Sequence, residues 1–257
     1  MNITFTQEKF EYFLLILVRM TSFVTVAPFF GHGNVPARYK VGLSACLSFL
    51  IYGLMQNKTV QYETVLEYGK LIIIESIAGL LIGLSAIFCI YIITFAGRII
   101  DTEIGLSMAS LYDPTTRDQM SITGNLYYYF LLMLFIISDM HYFLLSAMMD
   151  SYTLIPVGGV KFGASLFTTF INFIGDYFII GFRIVLPVLA VTLTMNCIMG
   201  ILTKIAPQIH MFSVGIQLKL LAGFIVLFVT VSLLPVIANY IFDTMKQMVV
   251  STMKGLY

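Results

Sequence analysis

Residues Leu71 to Ala96 read LIIIESIAGLLIGLSAIFCIYIITFA, an apolar run longer than the ~20 residues an α-helix needs to cross a bilayer. One carboxylate, Glu75, interrupts it. Gly79 and Gly83 are spaced as GxxxG, with Ser76 and Ala86 extending the strip of small residues along one face. Such a strip lets two helix backbones approach closely. Directly after the run comes Gly97 to Ser121, GRIIDTEIGLSMASLYDPTTRDQMS, where charge, Gly, Ser and Met are mixed in a way lipid does not tolerate. A spanning-length helix that runs into a polar segment predicts a membrane chain with a part that faces water or protein.

The remainder of the chain agrees. Of its 257 residues 59% are hydrophobic and 11% charged, against roughly 45–50% and about 25% in a soluble domain. Mean hydropathy is +0.95. Further apolar runs occupy Phe10 to Phe30, Val41 to Met55, Leu126 to Met149, Phe167 to Leu202 and Val214 to Phe242, so hydropathy alone predicts about six spans. The expected fold is all-α, built from long, bent hydrophobic helices and helical hairpins. Pro28, Pro187 and Pro235 lie within or near the ends of runs, where proline bends or splits a helix. Connectors are short and no composition shift marks a boundary, so residues 1–257 are expected to form one domain. Lys and Arg are spread over nearly every connector, and the positive-inside rule assigns no orientation. The acidic and basic residues Glu8, Lys9 and Glu11 precede the first run without a cleavage pattern, so the N-terminus is read as retained.

Several chemistries are disfavoured. A formal net charge of +1 leaves no basic footprint for nucleic acid. Cys46, Cys89 and Cys197 are odd in number and embedded in apolar runs, so they are expected to be small buried hydrophobes. His32, His141 and His210 lie far apart with no carboxylate at ligand spacing, and no metal or cofactor is expected. Tyr112-Asp113 and Gly175-Asp176 echo an intramembrane aspartyl protease, but Phe173 stands where the GxGD pattern needs Gly and Pro114 follows Asp113. The chain is therefore read as non-enzymatic.

What stands out instead is polar groups inside or beside apolar runs: Arg19, Glu75, Asp139, Asp176, Arg183 and Lys219. Each costs roughly 2.5–3.5 kcal/mol at mid-bilayer, so partners, a water-filled path or helices that do not sit in lipid at all are implied. Arg98 and Asp101 are spaced to share a helix face. Beyond them, Gly105, Leu106, Ser107, Met108, Leu111, Tyr112, Asp113, Pro114 and Met120 combine backbone freedom with adaptable apolar side chains, a composition suited to filling an opening and leaving it. A second polar insertion, Leu202 to Lys219, reads as a hairpin tip: Pro207 ends one helix and Ser213 is placed to cap the next. Lys204 and Lys219 bracket it, with Gln208 at its turn.

These residues carry a resemblance. Arg19 with Pro28, Val35-Pro36-Ala37-Arg38, Gly97-Arg98, Asp101, Gly105, Asp113-Pro114, Ser138-Asp-Met-His141, Ser151, Pro156 and Thr203 to Phe212 follow one another as in the FliR family of the flagellar type III protein export gate. A sister family in virulence injectisomes shares the plan. His210 and Gln217 stand where Asn and Pro are commoner. The resemblance implies a subunit that assembles with FliP and FliQ into a helical hetero-oligomer whose lumen passes unfolded export substrates, with FlhB wrapped outside and FlhA nearby. It implies a bacterial inner membrane, basal-body location, with lipid contact; in such a pore the segment from about Leu106 to Met120, by its Gly, Met and Ser mixture and its place between two apolar helices, is expected to act as the plug. Arg19, Glu75, Asp176 and Arg183 would then act as polar anchors that meet protein partners or lumen water in place of lipid, and Arg98 and Asp101 as helix-end anchors of the assembly. The competing expectation is a proton-coupled transporter using Asp139, His141 or Asp176, but the inverted repeats this predicts are not found.

Overall fold

A computed structural model describes residues 7–31, 33, 35–55, 60, 62–107, 121–206 and 211–257. Among them every regular element is helical: α1 (Gln7–Val26), α2 (Ala37–Leu54), α3 (Val65–Ile104), α4 (Ile122–Ile137), α5 (Met140–Leu154), α6 (Ala164–Ile205), α7 (Met211–Thr230), a 3-10 turn (Val231–Leu233) and α8 (Leu234–Gly255). The fold is all-α.

Local chemistry sets the boundaries. Pro28 disfavours helical geometry at Ala27, and the chain leaves α1 through Phe29 in the left-handed region, φ 70°. α3 closes on Gly105, whose φ of 94° suits only glycine and whose N–H donates back to the Asp101 carbonyl at 3.1 Å. α5 stops at Ile155, extended (φ −120°, ψ 95°) as a residue before proline prefers to be.

The apolar runs do not map one to one onto spans. Among the described residues three stretches, Val65–Ile104, Ala164–Ile205 and Val214–Gly255, are long and apolar enough to cross a membrane, or up to four if α4 and α5 together count as one. The six expected from hydropathy are thus too many. α1 carries Glu8, Lys9, Glu11 and Arg19, and α2 is an 18-residue helix with Arg38 and Lys40 in its first turn. The run Leu126 to Met149 is broken at Asp139, which takes a left-handed φ of 55° between α4 and α5. Conversely, α6 continues unbroken through Pro187, and Pro235 sits in the first turn of α8, where its missing N–H costs nothing.

The chain groups into two compact units, each assembled from separated stretches: residues 1–88, 139–173 and 243–257 in the first, 89–138 and 174–242 in the second. In the first, α1 packs on the N-terminal half of α3. A Cβ at Gly79 would overlap the Arg19 carbonyl and the Ser22 hydroxyl, so glycine there is a condition of the contact, and one at Gly83 would lie 3.1 Å from the Phe23 carbonyl. Leu15, Phe23, Ile82, Leu144 and Met148 fill this core. In the second unit, the C-terminal half of α3 meets the start of α4 backbone to backbone, since a Cβ on Gly97 would overlap Gly124. Ile93, Ile100, Leu131, Phe135 and Val185 are buried there.

Burial is uneven among the long helices. The most apolar stretch of α3 is 56% buried, against 28% for α6 and 11% for the α7–α8 stretch. α3 is thus the most buried of the three, whereas the other two present most of their apolar surface outward.

Candidate functional site

Two polar centres are built into the helices, one in each unit. The first is Arg19, fully buried on α1, facing Glu75, fully buried on α3. The guanidinium grips the carboxylate with both prongs: Nε donates to Oε2, and Nη2 donates to Oε1 at 3.0 Å. Nη1 reaches two carbonyls at the end of α5, that of Ile155 at 3.1 Å and, at 3.4 Å, that of Ser151, which also accepts the Ile155 N–H. The Tyr152 ring lies 4.5 Å from the guanidinium carbon and anchors its own hydroxyl on the Ile16 carbonyl at 2.9 Å. Glu75 Oε1 also accepts from the Gly158 N–H at 2.7 Å, and Gly158 adopts φ 83° to present it. A single ion pair thus joins α1, α3, the end of α5 and the turn after it, with its charges neutralised and hydrogen-bonded.

The second centre is Asp101, 5% exposed in the last turn of α3. Its carboxylate accepts from the Ser121 hydroxyl at 2.7 Å and from the Thr123 N–H at 3.2 and 3.3 Å. Ser121 in turn caps α4 by accepting from the Gly124 N–H at 2.8 Å. Negative charge at the N-terminus of α4 also meets the positive end of the helix dipole. The neighbouring Glu103 approaches the Thr192 hydroxyl of α6 at 3.4 Å. Asp101 therefore holds both flanks of the segment between Gly105 and Ser121: its carbonyl takes the Gly105 N–H, its side chain takes Ser121 and Thr123.

The sequence-derived candidates divide accordingly. Arg19 and Glu75, expected to meet partners or lumen water, meet each other. Arg98 is exposed while Asp101 points inward, so their shared spacing does not make them a pair. Asp176 and Arg183 are exposed on α6. Gly105, Leu106 and Ser107 are half-buried at the end of α3, whereas Met108, Leu111, Tyr112, Asp113, Pro114 and Met120 lie outside the described residues. Lys204 is exposed and Lys219 half-buried; Pro207, Gln208, His32 and His210 also lie outside them. Asp139 is exposed at its corner, and His141 Nδ1 is buried without a hydrogen-bond partner among the described residues. Cys89 is buried, but Cys46 and Cys197 are exposed, because α2 and α6 turn apolar faces outward that this chain does not cover.

Sequence reasoning missed Ser121, Thr123, Tyr152 and Gly158 as members of these centres. Ser121 had a usable signal, a capping residue directly before an apolar run. Gly158 and Tyr152 had none, since their partners lie 83 and 136 residues away.

Spanning-length apolar helices, with charges neutralised in pairs or caps between them, define a helical membrane protein. Residues 10–245 match the model of bacterial export proteins, family 1. The chain is 31% identical to the flagellar biosynthetic protein FliR of Bacillus subtilis strain 168, covering 97% of this chain and 95% of that one. It is 29% identical to FliR of Buchnera aphidicola subsp. Acyrthosiphon pisum over 82% of each, and 27% identical to FliR of Escherichia coli K12 over 87% and 84%. The chain belongs to the FliR family of bacterial export proteins.

Proposed function

We propose that the chain is a non-enzymatic subunit of the flagellar type III export gate, forming part of the pore for unfolded export substrates. The observation that carries this reading is the family match over residues 10–245, with relatives named as flagellar biosynthetic proteins along nearly the whole chain. FliP and FliQ would complete the gate core, FlhB would wrap it and FlhA would lie close by, all in the bacterial inner membrane at the flagellar basal body. Exposed apolar surface on α6, α7 and α8 is available both to such an assembly and to lipid.

The segment from about Leu106 to Met120 is the plug of this pore. Support comes from its composition and from its attachment: both flanks are held at one residue, Asp101, so the segment leaves and returns at the same place on α3. A loop tethered this way can yield without its flanking helices coming apart. The test is the ion conductance of membranes carrying the assembled gate with residues 108–114 deleted. A raised resting conductance is expected, and an unchanged one removes the plug role.

A further inference from the structure

In the second unit Ile216, Gly223 and Thr230 follow one another at intervals of seven residues on α7 and so share one face of it. Each meets a flank of the segment between Gly105 and Ser121. Ile216 brings its Cγ2 methyl to 4.0 Å from where a Cβ on Gly105 would stand, which is van der Waals contact with the glycine that closes α3. Gly223 is buried, and a Cβ on it would lie 2.6–2.7 Å from Cγ1, Cγ2 and Cδ1 of Ile104. Ile104 is fully buried in its turn. Its side chain branches at Cβ and has little freedom to turn away, so the missing side chain of Gly223 is a notch and Ile104 the knob that fills it.

At the end of α7 the Thr230 hydroxyl pairs with the hydroxyl of Tyr127, a buried residue in the second turn of α4. The helix stops there. Pro235 has no N–H to return to the Val231 carbonyl, and the ladder gives way to the 3-10 turn Val231–Leu233, which buries none of its residues. A short 3-10 turn free of packing is where a helix changes direction at least cost. α7 is thus a lever with its fulcrum at Thr230: at about 10 Å along the axis from that end it seats Ile104, and at about 21 Å it covers Gly105. The tie at Asp101 is of another kind, because it joins the two flanks to each other, whereas α7 sets the direction in which the chain leaves α3. Gly105 stands at φ 94° without a side chain, so once uncovered its backbone is free to swing.

We infer that Ile216 and Gly223 of α7 are positioning residues for the segment from Leu106 to Met120. Seated on Gly105 and Ile104 they hold its departing end at rest, and swinging α7 away about the turn at Val231–Leu233 releases it. The geometry stands by itself; the consequence for the pore rests on the proposed plug.

The experiment puts Gly223→Val into the full chain, copurified with the subunits it assembles with, and reads amide exchange at residues 104–107 beside resting ion conductance. A valine in the notch drives α7 off Ile104, so exchange at 104–107 should accelerate about tenfold or more, exchange at 121–124 should stay unchanged because the Asp101 tie is intact, and conductance should rise. Adding Ile104→Ala makes room for the valine and should return both readings towards native. If Gly223→Val fails to assemble, Ile104→Ala alone, which empties the notch without a clash, should raise both by a smaller factor. Native exchange at 104–107 in an assembled Gly223→Val chain, or a rise that Ile104→Ala does not reverse, would overturn the positioning role. So would faster exchange at native conductance while deletion of residues 108–114 conducts. Exchange that rises and reverses as expected, with conductance unchanged both there and in the deletion, would keep the hold of α7 on Gly105 and defeat the plug. A deletion that conducts beside a Gly223→Val chain with native exchange and conductance would do the opposite.

Discussion

Neither Arg19 nor Glu75 is tolerable in this interior without the other. Both are fully buried, and truncating one leaves the other as an uncompensated charge. Arg19→Ala should therefore lower stability by about 3–5 kcal/mol, read as a shift in denaturant unfolding of the detergent-solubilised protein. The double variant Arg19→Met/Glu75→Leu should recover most of that loss, since an apolar pair of similar volume needs no neutralisation; a double variant as weak as the single one would contradict this. Asp101 acts on a smaller scale. Asp101→Ala removes the acceptor of the Ser121 hydroxyl and the Thr123 N–H, a loss of roughly 1–3 kcal/mol. Amide exchange at residues 121–124 should accelerate about tenfold or more while exchange at 82–90 stays unchanged. The cost of these charges was legible in the sequence, because each interrupts or adjoins an apolar run. Their partners were not, since Arg19 and Glu75 are 56 residues apart and Asp101 and Ser121 are 20 apart, and pairing at that range depends on how helices cross.

At the scale of elements, close helix crossings depend on glycine at particular places. Gly79 and Gly97 leave no room for a side chain, whereas a Cβ at Gly69, near the start of α3, meets nothing within 4 Å. Gly79→Leu should force α1 away from α3 and cost at least about 1–3 kcal/mol. Gly69→Ala should be neutral or stabilising by up to about 1 kcal/mol, because alanine is the better helix former. Thermal unfolding of the two variants side by side checks both, and equal effects would show that spacing rather than contact is all the motif contains. The small-residue strip was visible in the run Leu71 to Ala96, although which helix it met was not. Helix boundaries were legible where proline makes them, at Pro28, while Gly105, read as part of the plug, closes α3 beyond the end of the apolar run at Ala96. They were not legible at Asp139, where an ordinary aspartate in the left-handed region breaks an apolar run, nor at Pro187, which a long helix accommodates in its interior.

Across the whole molecule, surface area separates the helices by role. The most apolar stretch of α3 is more than half buried within its own chain, while most of that of α6 and of the α7–α8 stretch faces outward. The chain belongs to a family of export-apparatus proteins. Length and hydropathy conveyed the all-α class but overstated the number of spans, because apolar surface meant for protein reads the same as surface meant for lipid. The central claim is that this subunit helps form a gate and that the segment tethered at Asp101 obstructs it. The most direct measurement is the single-channel conductance of the copurified assembly in a planar bilayer, comparing the native chain with one lacking residues 108–114. The native assembly should be closed at rest and the deletion should open a steady ion-conducting path; a deletion assembly that remains as tight as the native one would contradict the account.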